Sequence, residues 1–177
     1  MTKALQCAGV LTLLAFSLRV PVSQAFPEAQ GTYLAEGGLA AQQQVVESAI
    51  NTAAAQFNFL IRGIARSRLR AVNPVFPDIK LHYNKQSFSL SSGADELTME
   101  GDTLEKFPFV TPKGLQVTVD QFVGEKEVKR VFHSEDGRRE VIYQLAEDKS
   151  LLLVKITVHS SHLHQPMSYE LRYRMNP

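Results

Sequence analysis

Residues 128–156 read VKRVFHSEDGRREVIYQLAEDKSLLLVKI, and the period of this stretch decides the fold. Apolar side chains alternate through Val141, Tyr143 and Leu145, and again through Leu152, Val154 and Ile156. That is the period of an extended strand with one buried face. A turn around Asp148-Lys149 pairs Leu145 with Leu152, Tyr143 with Val154 and Val141 with Ile156, so both apolar sets share a side. A turn at Asp136-Gly137, where both residues tolerate positive φ, sets Phe132 opposite Val141 and Val128 opposite Leu145. A slip of one residue in either hairpin would send one apolar set to the wrong face, so their agreement argues for an antiparallel meander.

The pattern continues in both directions. A turn at Gly124-Glu125 sets Val117 opposite Phe132 and Val119 opposite Arg130, and one at Asn84-Lys85 sets Leu81 opposite Phe88 and Ile79 opposite Leu90. A longer connection through Pro166 sets Ile156 opposite Tyr169 and Val154 opposite Leu171. With a further run at Glu96 to Glu100, about eight strands are expected between residues 79 and 175. Gly101 to Gly114, which holds Pro108 and Pro112, reads as a lid or an irregular edge. Thr118, Asp120, Lys129, Glu140, Gln144, Lys155, Glu170 and Arg172 take the opposite positions, as on a solvated sheet face. A twisted sheet of this size, wet on one side, tends to curl into a barrel or half-barrel.

Ahead of the strands the period changes. Val46, Ile50, Ala53, Phe57, Leu60, Ile61 and Ile64 follow at three- and four-residue steps, which predicts one long helix over 39–70 with these residues on its buried stripe. Asn73-Pro74 and Pro77 end it, since proline removes a donor and disfavours the α conformation in the residue before it. Residues 26–38, with Pro27, Gly31, Gly37 and Gly38, read as a flexible lead-in. The expected fold is therefore mainly β, of the α+β class: a single domain over 39–177, with a long N-terminal helix followed by an antiparallel meander at 79–175.

Residues 1–25 have the three regions of a secretory signal peptide: a basic start at Lys3, an apolar run from Ala4 to Leu18, and a polar end at Ser23-Gln24-Ala25. The run is short for a membrane span and is interrupted by Arg19 and Pro21. Cys7, the chain's only cysteine, lies inside this segment, so the exported protein is expected to hold no disulfide or thiolate site. Cleavage takes Lys3 and Arg19 from the 19 basic residues and none of the 18 acidic ones, leaving the two signs nearly balanced. Such a balance offers nothing to nucleic acid, and no later apolar stretch is long enough to span a membrane. The expected location is secreted or periplasmic.

The C-terminal half also resembles a known group. Glu135-Asp136-Gly137-Arg138-Arg139, Tyr143-Gln144-Leu145, the run Leu151 to Val158 and the run Pro166 to Arg174 are similar to uncharacterised secreted bacterial proteins of lipocalin-like type. The resemblance covers roughly residues 116–174, with an echo in Phe59 to Arg66. It implies a lipocalin-like barrel or half-barrel and export, and it carries no activity. His162 and His164, before the proline, depart from that pattern.

Arg130 is the candidate with most chemical content, because its register places it on the apolar face between Val119 and Tyr143. There it reads as a reader of a ligand carboxylate, helped by Tyr143, within a pocket lined by Val117, Phe132, Val141, Val154 and Tyr169. The structural alternative is an arginine that reaches the barrel mouth or pairs with a carboxylate of the chain. His159, His162 and His164 read as a solvated loop, since no cysteine or nearby acid completes a metal site. His133-Ser134-Glu135-Asp136 reads as turn chemistry. Arg62, Arg66 and Arg70, four apart, suit the C-terminal end of a helix through its macrodipole, or a contact with anionic lipid or a partner. No phosphate loop, metalloprotease helix or nucleophile elbow is present.

The sequence thus points to a non-enzymatic binding protein, without a cofactor, that holds a small apolar or amphipathic ligand. The alternative is an envelope module with a filled core. Exported protein is expected to begin at Phe26 on N-terminal sequencing; a chain that begins at Met1 contradicts the signal-peptide reading.

Overall fold

The computed structural model describes residues 28–84, 87–92, 95–100, 103–110, 116–124 and 127–177. In chain order the elements are β1 (Ala29–Ala35), α1 (Gly38–Ala54), α2 (Phe59–Val72), β2 (Asp78–Asn84), β3 (Ser87–Ser92), β4 (Asp95–Glu100), β5 (Thr103–Val110), β6 (Gln116–Val123), β7 (Glu127–Ser134), β8 (Gly137–Leu145), β9 (Leu151–Ser160) and β10 (Met167–Met175). The strands form one antiparallel sheet in the order β4-β3-β2-β1-β10-β9-β8-β7-β6-β5. It is the expected α+β meander, with ten strands rather than eight. One of the additional strands is β1: residues expected to be a flexible lead-in pair with β2 on one side and β10 on the other. The region expected to be a lid or irregular edge contains β5, the last strand of the order, with a register shift between Thr103 and Phe107.

The sheet curls onto itself. Arg130 on β7 donates from a terminal guanidinium nitrogen to the Phe88 carbonyl on β3 at 3.0 Å. These strands stand six places apart in the sheet order, so a flat sheet would separate them by roughly 29 Å. The Phe88 and Tyr143 rings, on β3 and β8, approach to 5.5 Å between centroids across the same interior. The inward face holds Tyr33, Leu81, Phe88, Val128, Leu152, Ile156 and Tyr173 at its most buried points. Val46, Ile50 and Ala53 of α1 join that cluster.

The expected long helix is two helices. α1 ends at Ala54, and Asn58 starts α2 by accepting hydrogen bonds on Oδ1 from the backbone N–H groups of Leu60 (3.1 Å) and Ile61 (3.3 Å). Asparagine is among the best residues for that role. The break turns the second half of the predicted stripe away from the core: Leu60 is 73% exposed and Ile64 57%. The expected stop at Asn73-Pro74 holds, with Asn73 capping α2 from outside by donating to Leu69 O at 2.8 Å.

Two hairpin registers are as expected. Val141 pairs with Ile156 and Leu145 with Leu152, and Tyr169 pairs with Ile156 and Leu171 with Val154. Three others are displaced by two residues, which keeps every apolar set on its predicted face. Leu81 stands opposite Leu90, Val119 opposite Phe132, and Val141 opposite Arg130 instead of Phe132. The last displacement has a visible cause. The β7–β8 hairpin closes at Ser134 and Gly137, so the turn is Glu135-Asp136 and the glycine belongs to the strand. There the backbone of β9 comes so close that a Cβ on residue 137 would lie 2.0 Å from the His159 carbonyl oxygen. Gly137 serves this close approach, at φ 155°, rather than the turn.

Burial pushes the Tyr173 phenol up to about 12, and its hydroxyl donates to Phe76 O at 3.3 Å. An unfolded tyrosine titrates near 10. The burial of the neutral phenol therefore contributes fully below about pH 10 and is lost as pH rises toward 12, a swing of roughly 2–3 kcal/mol. Urea unfolding across pH 9–12 is expected to show a steeper alkaline decline in the wild type than in Tyr173→Phe; parallel declines contradict this.

Candidate functional site

Each residue of the expected pocket lining sits on an inward position. Alternation along β7 sends Val128 and Arg130 inside, along β8 Val141 and Tyr143, along β9 Val154, and along β10 Tyr169. Val141, Tyr143, Val154 and Tyr169 lie in the main core cluster, with Phe132 half-buried against it. Val117 belongs to a smaller cluster with Val119, to which Phe132 also packs. The predicted lining is therefore one surface, with Phe132 as the link to β6.

Arg130 is 1% exposed. Its neighbours differ from the expected pair, because the two-residue displacements place it opposite Gln121 on β6 and Val141 on β8. Its Nε donates to Gln121 Oε1 at 2.9 Å. The guanidinium carbon lies 4.7 Å from the Phe88 ring centroid and 6.0 Å from that of Tyr143, so the cation rests between two aromatic rings. Burial lowers the arginine's pKa from its ordinary value, and Tyr143 acts in the opposite direction. An arginine keeps its proton under any physiological condition, so a positive charge stands on the inner face among Phe88, Tyr143 and Gln121.

Gln121, Phe88 and Arg139 were absent from the sequence-predicted set. Gln121 is fully buried, and its signal was available, because it continues the inward alternation of Val117 and Val119. Phe88 reaches Arg130 only through the curl of the sheet, which no local pattern encodes. Arg139 also points inward, opposite Phe132 and Val158, near the end of the barrel where α2 stops. One of its terminal nitrogens lies 3.5 Å from Val72 O, and its Nε is buried without a hydrogen bond among the described residues. Beside it, Tyr169 donates its hydroxyl to Asn73 Oδ1 at 3.0 Å. Burial raises the Tyr169 pKa and the Arg139 cation opposes the rise. The inner wall therefore carries two arginines on adjacent strands, one deep and one at the rim.

The other candidates lie outside. His133 Nε2 meets Asp120 Oδ2 at 2.8 Å on the outer face, so the histidine expected in turn chemistry is paired with a carboxylate on the neighbouring strand. His159 lies 3.6 Å from Glu140, also outside, while His162 and His164 are exposed. Among the described residues no three His, Cys, Asp or Glu side chains are placed to hold a metal. A groove of about 750 Å³ lies between α1 and the start of β10, lined by Val45, Thr52, Gln56, Gln165, Met167 and Tyr169, and Arg130 does not border it.

No family model and no curated protein sequence matches the chain. Solved structures of similar chain path include Echinococcus granulosus fatty-acid-binding protein 1 (14% identical, TM-score 0.48, covering 83% of this chain and 96% of that one). Others are a Schistosoma mansoni fatty acid binding protein in complex with arachidonic acid (13%, 0.46, 83% and 95%) and a fatty-acid-binding protein from Manduca sexta (15%, 0.45, 85% and 99%).

Gln121→Leu keeps the volume at the Arg130 contact and removes the acceptor. A charge-assisted hydrogen bond of this kind is worth roughly 1.5–3 kcal/mol, and urea unfolding is expected to show a loss of that size. A loss below about 0.5 kcal/mol, the range of a surface change, would show that Gln121 does not hold the guanidinium.

Proposed function

We propose that this is an exported, non-enzymatic binding protein whose barrel takes a small amphipathic ligand, apolar chain against the inner wall and anionic end toward Arg130. The observation that supports this reading is a 1% exposed guanidinium on the apolar inner face. Burying such a charge costs several kcal/mol even after relaxation. Gln121 Oε1 and Phe88 O, from the two halves of the sheet, hold two of its donors and orient the planar fork. A carboxylate suits that fork better than any neutral group. Arg139 at the rim extends the same sign of potential toward the barrel end. The export part of the proposal rests on the three-part N-terminal segment, and it makes the location secreted or periplasmic.

One observation favours a second reading, an envelope module with a filled core. Phe88 packs on Tyr143, and Arg130 bonds to the opposite strand, so at this level side chains span the interior. The two readings separate in a binding titration of delipidated protein with a fluorescent fatty acid and its uncharged alcohol. The ligand reading expects Arg130→Met to weaken the acid by roughly 1.5–3 kcal/mol, about tenfold or more, with the alcohol nearly unchanged. Wild-type protein that binds neither probe, and carries no small molecule in native mass spectrometry after purification from its host, sinks it in favour of the filled core.

A further inference from the structure

α2 is oriented against its own amphipathicity. Its partly buried residues are Arg62, Ala65, Arg66 and Leu69, and none of its residues is fully buried. Phe59, Leu60, Ile61 and Ile64, the apolar residues of its first two turns, are 79%, 73%, 44% and 57% exposed. Helices in globular proteins owe most of their stability to a buried apolar face, and this one turns that face outward.

The arginines explain which side faces the protein. Arg62 donates to Phe57 O at 3.1 Å, across the link from α1. Arg70 makes a two-point contact with Glu47 of α1 at 2.6 and 2.7 Å, which lowers the pKa of that carboxyl. These polar contacts, with the Asn58 cap and the Asn73 link to Tyr169, fix the helix with its apolar turns outside. The helix itself is one-sided in charge. FLIRGIARSRLRAV contains four arginines and no acid, and Arg68 lies exposed beside Ile64.

We propose that α2 docks on an anionic lipid surface, with Phe59, Leu60, Ile61 and Ile64 entering the headgroup boundary and the exposed Arg68 contacting the acidic headgroups. An apolar tip flanked by cations is the composition that binds such interfaces. A second copy of the chain is disfavoured by charge, since it would bring another exposed Arg68, on a helix that holds no acid, against the first. This inference does not depend on what the barrel binds.

The chain has no tryptophan, so Leu60→Trp places a sole indole on the face in question, and its signal comes from α2 whatever the N-terminal segment does. Vesicles of phosphatidylglycerol and phosphatidylcholine are expected to shift its emission to the blue and to quench it when brominated lipid is included. Phosphatidylcholine alone should do neither at physiological salt. In flotation assays Phe59→Ser with Ile64→Ser, and separately Arg68→Glu, should each lower binding to the anionic vesicles at least tenfold relative to wild type. Val110→Ser, an exposed apolar residue on β5, should leave it unchanged. No blue shift with anionic vesicles overturns the proposal, as does an equal shift with neutral ones. A shift that grows with protein concentration in the absence of lipid assigns the face to a second copy and overturns it too.

Discussion

A sheet with one apolar face must have that face covered, and here the available cover is too small for an open sheet. α1, with 17 residues, is about 26 Å long and roughly 10 Å wide, which shields about two strands at their usual spacing. The sheet has ten. Only curling can bury the remaining strands, and once the sheet curls, residues remote in sequence become interior neighbours. The contact between Arg130 and the carbonyl of Phe88 is a product of that geometry. So is the main core cluster, which joins α1 to both halves of the sheet.

Curling also decides what an inward arginine experiences. On an open sheet Arg130 would face water at low cost, while in the barrel it needs acceptors and polarisable surfaces on several sides. β6 supplies an amide oxygen, β3 a backbone oxygen and an aromatic face, and β8 a second ring. Three strands from both halves of the sheet thus meet on one side chain. The chemistry of the interior and the closure of the fold are therefore coupled.

Parity was legible in the sequence, and parity alone placed Val117, Arg130, Phe132, Val141, Tyr143, Val154 and Tyr169 on one wall. A displacement by two residues preserves it, which is why the inward set held where Val119 and Phe132 replaced the expected partners. The same displacement hid Gln121, whose role depends on which residue stands opposite. The β7–β8 register was misplaced because Gly137 is required by the His159 backbone of β9, and a hairpin dipeptide looks the same whether its glycine turns or packs. α2 failed differently: periodicity groups Leu60, Ile61 and Ile64 together, but it does not say whether that side meets protein. β1 escaped because AQGTYLA contains a glycine and little alternation; it is a strand only because two others flank it.

That position gives β1 a consequence in time. It is the seam between two meanders, the first of its partners two helices further along the chain and the second nearly the whole described chain away, with Tyr33 beside Met175. A chain emerging from one end can form its local hairpins early, but the seam closes only after the last strand has appeared. Non-local pairing of this kind slows folding. A polypeptide threaded through a pore would therefore stay without its finished barrel, and so remain passable, until translocation was nearly complete.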